Sequence, residues 1–355
     1  MTDFGETPPR MVAGDPSRFG VFLPSYVWEG DGPERVQGIQ DFARRVEDLG
    51  FDSIFITDHV IAAKHFYDVS WLDSLTTLTY VAAVTKRVRL GTSILVLPLR
   101  HPVMLAKQIA TLEYLSSGRY IIGAGVGWYG PEFEATGTHK RERGRRSNEI
   151  LDIVRGLLTQ ENFSYDGRFY QLSEVTIEPR PQQMPLVWIG GGSQLADERS
   201  PEAPAFAPSV MERVAGSDGW IPRPTSPPEQ IADDWRNLSA FLRDRGRDPS
   251  ELTVVHENFL HYVPSADRDR VLAEQHDAYR RVMSDARGDS YLEKVYLFGT
   301  PDDIVATLQA RVDAGVQYFV LHTMTPDPDQ LNLWVRDVIP RVMFPAASRA
   351  PSDAG

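Results

Sequence analysis

Residues 87–127 read "RVRLGTSILVLPLRHPVMLAKQIATLEYLSSGRYIIGAGVG". The first eleven or so are a β-branched, apolar run of strand character. "PVMLAKQIATLEYL" then carries apolar residues at helical spacing and opens on Pro102, a favoured first helical position, before "RYIIGAGVG" returns to strand character. Two strands joined through a helix pair in parallel, so this stretch is one unit of a parallel sheet. The pattern extends in both directions. Toward the N-terminus lie the strands "FGVFLP" (19–24) and "DSIFIT" (52–57), with helical pattern over 34–49, stopped by Gly50, and over 74–85. Toward the C-terminus come the helix "SNEILDIVRGLL" (147–158), a hairpin signalled by Asp166-Gly167, and the strands "PLVWIGG", "GWIP", "LTVVHENFL" and "QYFVLHT". Eight strand and helix units over about 330 residues predict an α/β fold, a (β/α)8 TIM barrel with insertions. A doubly wound open sheet is the alternative, but it places its glycines in the first turn, where this chain has "FLPSYVWEG". The expected organisation is an N-terminal tail over 1–18, one barrel domain over 19–344 and a C-terminal tail over 345–355. Insertions are expected near 129–145, 193–209 and 264–290.

Composition narrows the function. A formal charge of −12 on 355 residues opposes a phosphate backbone, so nucleic acid is not expected as a partner. Without cysteine there is no disulfide, thiolate metal site or thiol nucleophile. The opening residues lack the pattern of a signal peptide and no window approaches a membrane span, which predicts a cytoplasmic location away from the membrane. The eight histidines form no His-x-x-x-His pair on a helix, and His256 and His261 stand at opposite strand parity, so no metal is expected. No Gly-x-Ser-x-Gly elbow is present, and no predicted strand ends in a Schiff-base lysine.

Active sites of such barrels lie at the C-terminal ends of the strands. The second strand ends on Asp58 and His59, two costly residues to bury unpaired. Thr92 and Ser93 interrupt the third strand, and their hydroxyls can donate either to a bound ring or to neighbouring backbone. Gly125 and Gly127 after the fourth strand allow a close approach of backbone to a ligand. Gly190, Gly191, Gly192 and Ser193 after the fifth form a candidate phosphate nest, with no Walker lysine. Aromatic residues follow successive strand ends: Tyr26 and Trp28, then Phe66, Tyr67 and Trp71, then Trp128 and Tyr129. Together they predict an apolar, water-poor cup above the barrel, with Tyr26, Trp28, Phe66 and Trp128 as its pocket lining.

Taken in order, "LGFDSIFITDHV", the stretch from Arg87 to Gly137, "RGRRSNEIL" and "WIGGG" followed by "DGWIP" resemble the bacterial luciferase-like oxidoreductases. The resemblance runs from Phe19 to about Leu158, resumes over 185–222 and returns weakly over 299–342. It implies a barrel that binds FMN or the deazaflavin coenzyme F-420. It also implies a non-prolyl cis peptide between Ser93 and Ile94 against the back of the ring, with Thr92, Gly125 and Gly127 near it and Gly190 through Ser193 at the phosphate. Asp58 and His59 match the family's pair beside the reactive edge of the ring, which makes His59 the acid/base, oriented by Asp58. The sugar-phosphate dehydrogenases of the deazaflavin branch have Trp and Glu where this chain has Ala63 and Trp128, which argues against a sugar-phosphate substrate.

The expected function is a monooxygenase that uses reduced FMN, supplied by a separate flavin reductase, and O2 on a small apolar molecule, with a homodimer as a possible assembly. Hydride transfer with coenzyme F-420 is the alternative, and a flavin-binding protein without catalysis is a third.

Overall fold

The computed structural model describes residues 11–27, 33–195, 204–285 and 287–346. Its eight parallel strands are β1 (Phe19–Phe22), β2 (Ser53–Ile56), β3 (Arg89–Thr92), β4 (Tyr120–Gly125), β5 (Leu186–Gly190), β6 (Gly219–Ile221), β7 (Thr253–Phe259) and β8 (Tyr318–His322). Each pairs with the next, and β8 returns to β1, closing the ring. Closure leaves the sheet without a free edge. Helices α1 (Pro33–Asp48), α2 (Ser74–Ala82), α3 (Pro102–Ser116), α4 (Arg143–Thr159), α5 (Pro208–Ala215), α6 (Pro228–Arg243) and α7 (Pro301–Asp313) carry the crossovers. The (β/α)8 barrel is therefore the fold. Among the described residues no helix is long and apolar enough to cross a membrane.

Strand parity separates two cores. Side chains between the strands and helices form a large outer cluster, whereas Phe22, Phe55, Ile121, Trp188, Ile221, Val255, Tyr318 and Val320 fill the ring itself. This inner layer closes the barrel floor and confines any ligand to the mouth.

Three local features add to the plain barrel: the cis Ser93–Ile94 peptide that the resemblance implies, a pairing of residues 11–13, and the expected third insertion. The third strand breaks after Thr92, passes through a cis Ser93–Ile94 peptide, and resumes as Leu95–Val96 beside Ala124 and Gly125 of β4. Residues 11–13, read as part of a tail, pair antiparallel with Met343–Pro345. In the third insertion, helices Arg268–Arg280 and Asp289–Val295 lie over the mouth side, with Met283 bridging to Tyr67. Part of the insertion near 193–209, residues 196–203, lies outside the described residues.

One buried carboxyl sets a pH dependence of stability. Glu113 on α3 is 5% exposed and accepts the Tyr120 N–H at 2.7 Å. Burial pushes it up to about 7, against the backbone hydrogen bond that lowers it. The unfolded carboxyl gives up its proton near its ordinary value, so the stability tied to the neutral form is lost as pH rises toward and through about 7. Glu113→Gln keeps an acceptor for Tyr120 and cannot ionise. Its stability relative to wild type should rise by about 2–3 kcal/mol between pH 5 and pH 8 in urea unfolding. An equal difference at both pH values would refute this account.

Candidate active site at the barrel mouth

His59 follows β2 and is held by a residue far away in sequence. Its Nδ1 lies 3.1 Å from Oε1 of Glu132, with both side chains buried, and the same oxygen accepts the Val60 N–H at 2.7 Å. Glu132 belongs to the short helix Gly130–Ala135 that follows β4. With Nδ1 engaged, Nε2 is the nitrogen left to meet a ligand. The rings of Tyr67, Trp71 and Trp128 surround the imidazole at 5.2, 5.3 and 5.9 Å.

Asp58 does not orient His59. The carboxylate, 3% exposed, takes both guanidinium nitrogens of Arg100 at 2.7 Å, the Ser74 hydroxyl at 2.8 Å and the Val96 N–H at 2.8 Å. Successive residues leave a strand on opposite faces, so when His59 turns to the mouth, Asp58 must turn outward into the helix layer. There a bidentate arginine and two further donors satisfy it.

The break in the third strand builds the floor. Ile94 is half-buried, and its side chain fills the space over Gly125 and Gly190: a Cβ on Gly125 would stand 2.0 Å from Ile94 Cδ1, and one on Gly190 2.9 Å from Cγ2. Gly127 has φ +72°, a conformation that L side chains rarely adopt. Thr92 is wholly buried, with its hydroxyl on the Gly123 carbonyl at 2.9 Å and the Tyr120 hydroxyl at 3.1 Å. It is therefore spent within the protein and not available to a ring. Ser93 instead reaches across the mouth to the carboxylate of Glu257.

The Gly190–Ser193 turn also differs from a free nest. The Gly191 N–H goes to the Ile221 carbonyl at 3.0 Å, and Asp234 of α6 takes the Ser193 N–H at 2.7 Å and hydroxyl at 2.5 Å. Positive charge nevertheless gathers here. Arg223 donates to the Gly192 carbonyl at 3.1 Å, and its pKa is lowered by burial and by the nearby Arg143 cation at the start of α4, with Asp234 opposing. Two guanidiniums in mutual repulsion beside a glycine turn suit an anionic tail better than any neutral group. The flat apolar seat of Ile94 on one side and this cationic corner on the other match a planar ring with a charged tail. The residues present thus fit a flavin or deazaflavin.

The aromatic cup exists, with two changes. Phe66 packs edge-on against Trp128 at 4.5 Å, and Trp128 is 41% exposed at the rim. Tyr26 is buried beneath the rim, stacked on His322 at 5.5 Å, because the short ladder of Tyr26–Val27 with Ser70–Trp71 draws it inward. It supports the cup without lining it. Trp28 lies outside the described residues. Trp71 adds an indole N–H that is buried without a partner beside His59.

Glu132, Glu257, Arg143 and Arg223 were not among the residues the sequence singled out for the site. Glu257 had a signal, since two residues past the inward Val255 it occupies an inward place near the C-terminal end of β7. Glu132 had none, being 73 residues from its partner.

Comparison with known proteins agrees with this architecture. The model of the luciferase-like monooxygenase family matches residues 17–203, more than half of the chain. An F-420-dependent glucose-6-phosphate dehydrogenase from Amycolatopsis mediterranei is 26% identical over 335 residues, covering 85% of this chain and 93% of its own. Among solved structures, an F-420-dependent secondary alcohol dehydrogenase in complex with an F-420–acetone adduct superposes with a TM-score of 0.74 at 17% identity, over 93% of this chain and 99% of that one. The monooxygenase RslO1 from Streptomyces bottropensis gives 0.72 at 22% identity, over 91% and 99%. The barrel, its interrupted third strand and the extent of the family match lead to one conclusion: this chain belongs to the luciferase-like monooxygenase family.

Proposed function

We propose that the chain is an oxidoreductase that seats a deazaflavin, coenzyme F-420, at the barrel mouth and exchanges a hydride with a small organic substrate. The observation that carries this reading is the buried His59–Glu132 pair facing an apolar seat, with a cationic corner at the far side. The relatives named as F-420-dependent dehydrogenases support it. Ile94, Gly125 and Gly190 would underlie the ring, and Arg143 and Arg223 would meet the phosphate. Bound there, the deazaflavin supplies a two-electron hydride carrier that does not engage oxygen.

The protein's own residues handle the proton. His59 Nε2 takes the proton of a substrate hydroxyl, or returns it in the reverse direction, and Glu132 offsets the charge that forms on the imidazole. The rings of Tyr67, Trp71 and Trp128 exclude water from this exchange. Ala63 is buried and Trp128 covers the rim at the two positions that differ from the sugar-phosphate branch, so the substrate is taken to be a smaller, uncharged molecule.

The aromatic cup also favours a second reading, an FMN monooxygenase fed by a separate flavin reductase. Titration with each cofactor, followed by fluorescence, separates the two. F-420 should bind and be quenched, and FMN should bind at least about tenfold more weakly, a difference of about 1.4 kcal/mol. Tight FMN binding without F-420 binding would transfer the assignment to oxygen chemistry. Binding of F-420 with no exchange of reducing equivalents toward any alcohol or ketone would leave a carrier protein instead.

A further inference from the structure

Glu257 has no part in the scheme above, yet it occupies the centre of the mouth. It sits on β7 between the inward Val255 and Phe259, and its carboxylate meets the Ser93 hydroxyl at the end of β3. The third and seventh strands stand opposite each other in a ring of eight, so this contact crosses the barrel axis directly above the apolar floor. Ser93 engages Oε2, which leaves Oε1 without a hydrogen-bond partner among the described residues. No Lys, Arg or His among the described residues pairs with it. Glu257 keeps part of its surface accessible, as a group lining a recess does.

We propose that Glu257 is a ligand-contacting residue of the mouth, a neutral carboxyl whose Oε1–H donates a hydrogen bond to an uncharged acceptor on the ring seated over Ile94. The inference rests on the functional reading above and deepens it. A carboxylate surrounded by apolar walls and without a cation is costly in its ionised form. Burial accordingly pushes Glu257 up to about 7, against the lowering effect of Ser93. Tyr67 and Tyr296 lie near enough to feel its charge, and Arg287 and Glu132 act on Tyr67 with opposite sign. The carboxyl also favours uncharged ligands over anionic ones: a phosphate or carboxylate brought against Glu257 would meet either its negative charge or a single donor in place of an arginine fork.

Two measurements test this. In ligand-free protein, isotope-edited infrared difference spectra should show two carboxyls titrating near pH 7, of which the one from Glu113 persists in Glu257→Gln and the other is lost. F-420 affinity, read by fluorescence at pH 6 and pH 8, should fall about 5- to 10-fold in wild type at the higher pH, following proton linkage. In Glu257→Gln, whose amide donates at both pH values, affinity should stay within about twofold of the wild-type value at pH 6. The contrast between wild type and variant isolates Glu257 from every other group that changes charge over this range. A carboxyl that ionises at the ordinary glutamate value, a pH dependence unchanged in the variant, or affinity that rises with pH would each overturn the proposal. If neither F-420 nor FMN binds at any pH, the functional reading fails, and the infrared titration alone decides whether the Glu257 carboxyl is neutral.

Discussion

Replacing His59 by alanine is expected to lower turnover by about 10²–10⁴-fold, the range that a positioned acid/base supplies. Cofactor affinity should change little, because the ring rests on Ile94 and the tail on Arg143 and Arg223, none of which touches the imidazole in the hydrogen bonds of the mouth. Single-turnover kinetics on the cofactor-loaded enzyme would separate the two effects, with the loss falling on the chemical step. Glu132→Gln should give a smaller loss in the same step. It keeps an acceptor for the Val60 N–H at 2.7 Å and the contact to Nδ1 at 3.1 Å, but removes the charge that offsets the imidazolium. Wild-type turnover in His59→Ala would remove the proton role from this residue.

Asp58→Ala is expected to act through stability. The substitution leaves the Arg100 guanidinium, 13% exposed, without the carboxylate that takes both of its nitrogens, and it orphans the Val96 N–H and the Ser74 hydroxyl. Breaking a buried pair from one side typically costs about 3–5 kcal/mol, since the remaining charge stays desolvated. Urea unfolding should show this loss, and the double variant Asp58→Leu/Arg100→Leu should recover part of it because no lone charge remains. A single-variant cost below about 1 kcal/mol would place Asp58 among weak surface pairs. The adjacent residues 58 and 59 thus predict opposite phenotypes, one in folding and one in chemistry. The reason is that consecutive positions at a strand end face different layers.

The features legible in the sequence are those governed by local periodicity. All eight barrel strands lie where alternating or continuous apolar runs place them, and the helices between them begin at or near Pro102, Ser74 and the other predicted starts. Gly125 was recognisable as a place of close approach and Gly190 as part of a candidate phosphate turn, although what approaches both in the protein itself is Ile94. Partnerships were not legible. Asp58 next to His59 suggested a pair, while the fold gives each a partner from a different unit: Arg100 after the third strand and Glu132 after the fourth. The turn at Gly191–Ser193 suggested free N–H groups, and Asp234, more than forty residues later, takes one of them.

By itself, then, the sequence determined the closed barrel and the family to which it belongs, because strand and helix periods and their repetition are written residue by residue. Tertiary structure alone decided which carboxylates serve His59 and Ser93, which hydroxyl is spent on backbone and where the cations gather. Those assignments depend on side chains brought together across the ring from distant parts of the chain, and no local pattern encodes that distance.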